Sequence, residues 1–301
     1  MASDRIFAKV PATTANMGPG FDSLGLALGM FNIVEVWSDD TEPHIIRGEG
    51  AGALPTGPDN LVREAMRAVA ERADRPLARV GIRQSNDIPL ARGLGSSSAA
   101  IIGGCIAANY FLGRPLSDDE ILSVAVEIEG HPDNVAPALY GGMMVCYATE
   151  AGTGCRRIRP SHPPTAVVAI PNFEVETEKA REALPETVPY ADAVLNVGRA
   201  AAVVACFASG DYSALADALD DRLHQPYRAH LVPGLTEAIA AAKQAGAYGA
   251  ALSGSGPTVI AFTHHDADRI ADAMQAALGA IGVEARTTAL DICREGATVA
   301  T

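Results

Sequence analysis

The sequence predicts an α+β protein of two domains, and three observations carry that prediction. The chain has 301 residues, more than one compact core comfortably serves. Apolar residues make up 48% of it, enough for it to fold unaided. Strands and helices mix in an order that suggests helices laid on one sheet face, interrupted by a stretch rich in Gly, Arg and Pro between Glu150 and Pro164. The expected division is therefore 1–160 and 161–301.

The elements follow in order. Ile6 to Val10 reads as a strand, followed by a Gly/Pro loop through Gly20 and then FNIVEVW at 31–37, where β-branched and polar residues alternate. Pro58-Asp59-Asn60 opens a helix reaching about Ala73, with Leu61, Ala65, Val69 and Ala73 on one face. Val80 to Gln84 is another strand, and the loop NDIPLARGLGSSS leads into an Ala/Ile-rich helix from about Ser97 to Leu112. Ser117-Asp118-Asp119-Glu120 is a capped, acidic helix start, which places Glu127 or Glu129 at that helix's far end. GGMMVCYA at 141–148 is an apolar strand. Beyond the break come a strand at Thr165 to Ile170, several Ala-rich helices, a strand pair around Gly249 to Phe262, a helix from Asp266 and a last strand at Val283 to Ala289.

Composition narrows the function. The formal net charge is −13 and both halves are acidic, so neither offers the positive face that nucleic acid needs. An anionic substrate must then be held by metal, backbone amides or a few placed arginines. The five cysteines are odd in number and scattered, without a C-x-x-C pair or a histidine at ligand spacing, which fits a reduced cytoplasm. The segment MASDRIFAKVPATT carries charges where a signal peptide needs an apolar core, and no later run approaches the ~18 to 20 apolar residues of a membrane span. A soluble, cytoplasmic protein without a membrane partner is expected.

The most informative segment is Pro89, Leu90, Ala91, Arg92, Gly93, Leu94, Gly95, Ser96, Ser97, Ser98 and Ala99. Two glycines let the backbone approach a ligand closely and adopt positive φ. The helix that follows presents unpaired N–H groups and the positive end of its dipole, which together make an anion cradle. With three serines in a row, one can cap the helix while another reaches a phosphate oxygen or Mg²⁺. No Lys follows the glycines, so the loop is not a Walker A motif, and the third glycine of a dinucleotide fingerprint is missing. Arg92 is the adjacent cation. SGSG at 253–256 reads as a tight hairpin between two strands.

Three segments together, KVPATTANMGPGFDSLG at 9–25, PLARGLGSSSAA at 89–100 and ALSGSGPTVIAF at 251–262, resemble the three motifs of the galactokinase, homoserine kinase, mevalonate kinase and phosphomevalonate kinase superfamily. EGHPDNVAPALYGG at 129–142 and HQPYRAHLVPG at 224–234 resemble its homoserine kinase branch in particular. The resemblance implies a two-domain fold with an N-terminal mixed α/β nucleotide-binding domain and a C-terminal ferredoxin-like α+β domain. It also implies an active site in the cleft between them and transfer of the ATP γ-phosphoryl group to the hydroxyl of L-homoserine in threonine biosynthesis.

Roles follow by resemblance, residue by residue. One of Ser97 and Ser98, with Glu129 preferred to Glu127, would hold Mg²⁺, and Asn60 would lie at the adenine. Asp22 would meet the substrate ammonium, with Asn16, His131 and Asn134 gathering the amine and hydroxyl. Arg181, Thr177 in the same TEKAR segment, and Arg228 match the carboxylate side, and Gly254 borders the substrate. Asn16, Asp22, Glu129, Asn134 and Arg181 form the expected catalytic set. Where mevalonate-type relatives keep an aspartate base, this chain has Asn134, with Asp133 as the alternative; a loose transition state also permits the proton to leave late, to phosphate or water. Lys9 matches a superfamily lysine but takes no definite role. A homodimer is common in the family. The rival readings are another kinase of the superfamily, taking mevalonate or an isoprenoid phosphate, and a ligand-binding regulator that has kept the fold without turnover.

Overall fold

The computed structural model describes residues 5–38, 44–150 and 152–301, so residues 1–4 of the N-terminal segment and residue 151 of the expected break lie outside it. Strands β1 (Arg5–Ala15) and β2 (Leu24–Trp37) pair as a long antiparallel ribbon, with a register shift between Pro11 and Ala12. Ile6, Ala8 and Val10 point inward while Arg5, Phe7 and Lys9 face out, as a half-exposed strand requires. Both strands outrun their expected ends. Thr13 and Thr14 are buried opposite Ala27 and Leu26, and Leu24 to Leu28 are covered on both faces. A strand buried on both sides loses the alternation by which strands are recognised, which is why the sequence shows a strand only from Phe31 and leaves 24–30 unassigned.

The first sheet continues with β3 (Ile45–Gly48), helix α1 (Leu61–Arg72), β4 (Gly81–Asn86), α2 (Ser96–Phe111), α3 (Asp118–Glu129), α4 (Pro132–Tyr140), β5 (Met143–Thr149) and β6 (Gly152–Ile158). The order β1-β2-β4-β3 forms the body of the sheet, and the β5–β6 hairpin joins β2. Helix α2 is buried along most of its length from Ser98 to Asn109, which explains its apolar character all round. Helix α3 carries the predicted capping box between Ser117 and Glu120 and stops at Gly130, φ +87°.

The second unit contains β7 (Thr165–Pro171), α5 (Thr177–Glu182), α6 (Tyr190–Ser209), α7 (Leu215–Ala218), α8 (Gln225–Arg228), α9 (Leu235–Gln244), β8 (Gly249–Leu252), β9 (Val259–Thr263), α10 (Ala267–Gly279) and β10 (Ala285–Leu290). Its four strands run antiparallel in the order β10-β7-β9-β8. Fourth, first, third, second is the ferredoxin-like order. Leu235, Ala238 and Ala242 of α9 and Ile270, Met274 and Leu278 of α10 pack on one sheet face with Val167, Ala169, Leu252 and Val259. Val203, Cys206 and Phe207 of α6 meet Ala166, Val168, Ile260 and Phe262 on the other.

Two features depart from the sequence reading of the break. Residues 152–158 form β6 of the first sheet, so the changeover between sheets occupies 159–164. A last strand, β11 (Thr298–Ala300), returns to pair with β1. A third concerns membranes: α6 is, among the described residues, one helix long and apolar enough to suit a span, with mean hydropathy 1.5 in its best window. Its alanines and valines raise the hydropathy, while Asn196, Val203, Cys206 and Phe207 face the protein interior.

Candidate active site

A cleft of about 350 Å³ opens where the two units meet, and its walls come from segments far apart in sequence. One wall is the Gly-Ser loop. Gly93 and Gly95 have φ of +73° and +69°. A Cβ on Gly95 would sit 1.9 Å from Thr13 Oγ1, and one on Gly93 would sit 2.1 Å from the Ser253 carbonyl, so both positions demand glycine for space as well as φ. Gly95 is the N-cap of α2, and among the described residues no side chain caps that helix and no acidic residue occupies its first turn. The N-terminal amides of a four-turn helix therefore stand at the cleft without a side-chain cap, open to an incoming anion.

Beside them, Ser97 Oγ and Ser98 Oγ both donate to Glu129 Oε1, at 2.8 and 2.7 Å. This gathers two hydroxyls and a carboxylate, the hard oxygen donors that Mg²⁺ accepts. Glu127 points elsewhere: its carboxylate takes two bonds from Arg72 Nη2 on the outer surface, at 2.7 and 2.8 Å. Residues two apart on a helix face different directions, and here one faces the cleft and the other solvent.

The opposite wall is cationic. Arg228 is 2% exposed, and among the described residues no carboxylate pairs with it. Its Nε donates to the Ala180 carbonyl at 2.9 Å and its Nη1 to the Gly254 carbonyl at 3.2 Å. Burial, with the nearby Arg181 charge adding to it, pushes its pKa down to about 10, which still leaves it charged at neutral pH. Arg181 makes a two-pronged pair with Asp22, Nη1 to Oδ2 at 3.0 Å and Nη2 to Oδ1 at 2.7 Å.

Asn16, at φ +67°, joins the two units: its Nδ2 donates to the Gly254 carbonyl at 3.0 Å and its Oδ1 accepts from the Asp22 amide at 3.1 Å. Across the cleft floor, Thr13 Oγ1 donates to Asn134 Oδ1 at 2.7 Å. His131 Nδ1 lies 2.6 Å from Asp133 Oδ1. Burial works against protonation of His131, but the bond to Asp133 and that carboxylate's charge outweigh it, and the histidine pKa is raised. Thr177 Oγ1 lies 3.4 Å from Ser255 Oγ at the cleft rim.

The cleft brings together Asn16, Asp22, Asn60, Leu90, Ala91, Arg92, Gly93, Gly95, Ser96, Ser97, Glu129, His131, Asn134, Thr177, Arg181, Arg228 and Gly254. Four of the expected nucleotide-side residues lie off its lining. Leu94 and Ala99 are fully buried in the first core, and Pro89 borders a separate groove between the sheets. Ser98 is buried as well, reaching the site through Glu129. Arg92 spends its guanidinium on the carbonyls of Pro171, Leu90 and Asn172, tying the loop to the second sheet. Asn60 is the N-cap of α1, accepting from the Val62 amide and donating to Pro55 and Gln84. Lys9 lies with Nζ 3.9 Å from the Phe31 ring centre and does not line the cleft.

Sequence reasoning missed two supports. Phe21 has the guanidinium carbons of Arg181 and Arg228 at 5.4 and 5.1 Å from its ring centre, holding both cations over one aromatic surface. Asp221, buried, accepts from the amides of Leu223, His224 and Gln225 and anchors the short helix that carries Arg228. His224 Nε2 lies 2.7 Å from the Gly18 carbonyl and Nδ1 3.4 Å from Arg228 Nη1, and its burial holds its pKa down. The Asp at the head of DRLHQP was readable as an Asx turn, its Oδ1 accepting from the Leu223 amide; no spacing links Phe21 to either arginine.

The model of the GHMP kinases N terminal domain matches residues 60–142, and that of the GHMP kinases C terminal domain matches 202–280. The chain is 44% identical over 291 residues to the homoserine kinase of Moorella thermoacetica, covering 97% of this chain and 98% of that protein. It is 42% identical over 292 residues to the homoserine kinase of Desulfitobacterium hafniense, again covering 97% and 98%. The crystal structure of homoserine kinase from Cytophaga hutchinsonii has a TM-score of 0.90 at 29% identity, covering 100% of this chain and 98% of that one.

Proposed function

This chain belongs to the GHMP kinases and, within them, to the homoserine kinases, and on that premise we propose how its cleft carries out the reaction. It transfers the γ-phosphoryl group of ATP to the side-chain hydroxyl of L-homoserine, giving O-phospho-L-homoserine on the way to threonine. One observation carries the assignment of roles: a bare helix entrance and a buried guanidinium with no carboxylate of its own face the same cleft. The first suits a polyphosphate and the second the carboxylate of an amino acid.

In this reading residues 1–160 hold the nucleotide and residues 161–301 present the substrate side. The amides of Gly93 to Ser98 bind the phosphates, and Asn60 with its neighbours Pro55 and Leu61 forms the adenine end. Ser97, Ser98 and Glu129 would hold Mg²⁺, which when bound neutralises triphosphate charge. Arg228 and Arg181, aligned on Phe21, take the homoserine carboxylate. Asp22 takes the ammonium, so the substrate's two charges replace the Asp22–Arg181 pair with one partner each. Asn16 fixes the height of Asp22, and Asn134, braced by Thr13, lies near the hydroxyl.

Phosphoryl transfer through a loose transition state asks mainly for alignment and charge stabilisation. Asp133 is already engaged by His131, whose raised pKa favours the protonated ring, so its carboxylate is poorly available as a base. The hydroxyl proton then leaves late, to the transferred phosphate or to water. We place the enzyme in the cytoplasm, consistent with its unpaired cysteines.

The test is a coupled assay of ADP release over L-homoserine, mevalonate, L-serine and L-threonine. Turnover is expected with L-homoserine, and a preference for mevalonate would overturn the acceptor assignment. A chain that bound these ligands without releasing ADP would be the regulator instead.

A further inference from the structure

Behind the substrate side of the cleft lies a feature that the reaction leaves unused. Cys146 of β5 and Cys155 of β6 are register partners in the antiparallel hairpin, and their sulfurs lie 3.1 Å apart. Facing residues of an antiparallel pair have Cα atoms roughly 4.5–5.5 Å apart, inside the ~4.4–6.8 Å range of disulfides. Cys146 is buried at 2% exposure, whereas Cys155 is partly open to solvent. Cys105 and Cys206 are buried in other elements, and among the described residues Cys293 has no sulfur partner.

The surroundings of Cys146 tie it to the cleft. Its amide donates to the Ser23 carbonyl at 2.7 Å, one residue from Asp22. Its Sγ lies 3.9 Å from the Pro132 carbonyl, between His131 and Asp133. One cysteine therefore braces both chain segments that present the ammonium and hydroxyl side of the substrate.

We propose that Cys146 and Cys155 form a reversible intramolecular disulfide by exchange with a low-molecular-weight disulfide such as oxidised glutathione, and that its formation weakens homoserine binding. The Cys155 thiolate attacks one sulfur of the glutathione disulfide, forming a mixed disulfide and expelling one glutathione thiolate. The Cys146 thiolate then attacks the Cys155 sulfur and expels the second. Two protein thiols are oxidised, one external disulfide is reduced to two thiols, and the two protons pass to the released glutathione. Cys155 is the natural first nucleophile: it is the more exposed residue of the pair, and the hydrogen bond from the Cys146 thiol holds its pKa below the ordinary thiol range. The same hydrogen bond, together with burial, raises Cys146, which reacts once its neighbour has been converted.

The effect on catalysis rests on the homoserine kinase reading, but the chemistry of the link does not. The full chain would be equilibrated in glutathione buffers of graded potential, alkylated and mapped by mass spectrometry. The same samples would be assayed for the KM of homoserine and of ATP. The expected result is a linked Cys146–Cys155 peptide about 2 Da lighter than its reduced form, lost on adding dithiothreitol. Shifting the Ser23 and Pro132 segments against the substrate should raise the homoserine KM by roughly tenfold, ~1.4 kcal/mol of binding, with the ATP KM little changed. Cys155→Ser should keep the reduced enzyme's activity and lose its response to oxidation, and Cys105→Ala should keep the response. Two free thiols at 146 and 155 under fully oxidising conditions overturn the site, and a formed link with an unchanged homoserine KM overturns the coupling. If the reduced enzyme shows no homoserine turnover at all, it is the activity that fails, and the mass reading still decides the disulfide.

Discussion

Replacing Arg228 with leucine separates substrate recognition from stability. In the free protein this guanidinium is 2% exposed and held by two carbonyls, Ala180 and Gly254, with no carboxylate within ion-pair distance among the described residues. Truncating one partner of a buried charge pair typically costs roughly 2–5 kcal/mol. Arg181 shares the carboxylate, so ~3 kcal/mol is a reasonable expectation, and at ~1.4 kcal/mol per tenfold this is a loss of roughly 100-fold in kcat/KM for homoserine. The fold should respond differently. A guanidinium whose pKa is pushed down to about 10 on folding destabilises the native state by on the order of 3 kcal/mol at neutral pH.

Folding disfavours the protonated form, so the penalty is complete below about pH 10 and fades only as the pH climbs from there toward the higher value of the unfolded guanidinium. Leucine removes that penalty and loses two hydrogen bonds of ~1 kcal/mol or more each, so the melting temperature should stay within ~5 °C of the parent. The assay is steady-state kinetics with each substrate varied in turn, beside a thermal melt. A control uses 3-amino-1-propanol, which is homoserine without its carboxylate, and the variant should handle it as the parent does. Equal damage to the ATP and homoserine constants, or equal damage with and without the carboxylate, would refute the assignment.

Other expectations follow from the same geometry. Glu129→Gln should lower kcat more than ATP affinity, while Glu127→Gln, which removes an exposed pair with Arg72, should change either by less than ~1 kcal/mol; full activity in Glu129→Gln would undo the ligand assignment. Gly95→Ala places a methyl 1.9 Å from Thr13 Oγ1 at φ +69°, so it should destabilise the protein by ~2 kcal/mol or more in a melt and depress kcat by unseating Asn134. The raised pKa of His131 contributes stability that is complete below the unfolded value near 6.5 and disappears as pH rises through the higher folded value. Asp133→Asn should therefore lower the histidine pKa, read by NMR titration, and remove that window from the pH dependence of stability.

The division between what could be read and what could not runs along sequence distance. Residues 93–98 were legible because every part of that device is local: φ at Gly93 and Gly95, the onset of an apolar helix and the serines are neighbours in the chain. The capping box at Ser117 and the ferredoxin-like end of the chain were readable for the same reason, or through the resemblance of whole motifs. Helix periodicity separated Glu127 from Glu129 into different directions, but only the structure shows which direction is the cleft.

What the sequence could not supply was assembled by the tertiary fold. Asp22 and Arg181 are 159 positions apart, and nothing local says that they neutralise each other in the free protein. Arg92 looked like a phosphate cation and is a bolt between sheets, because the carbonyls it meets belong to Pro171 and Asn172. Strand β6 read as a break since its face is polar and half-exposed, and β11 is too short to announce itself; both are strands because edges of the first sheet were there to pair with them. Backbone conformation is dictated by near neighbours through sterics, so the chain alone determined where an anion cradle stands. Charge complementarity acts through space, so only the packed structure decided that Arg228, among the described residues, was left without a carboxylate in ion-pair contact and therefore available to a substrate.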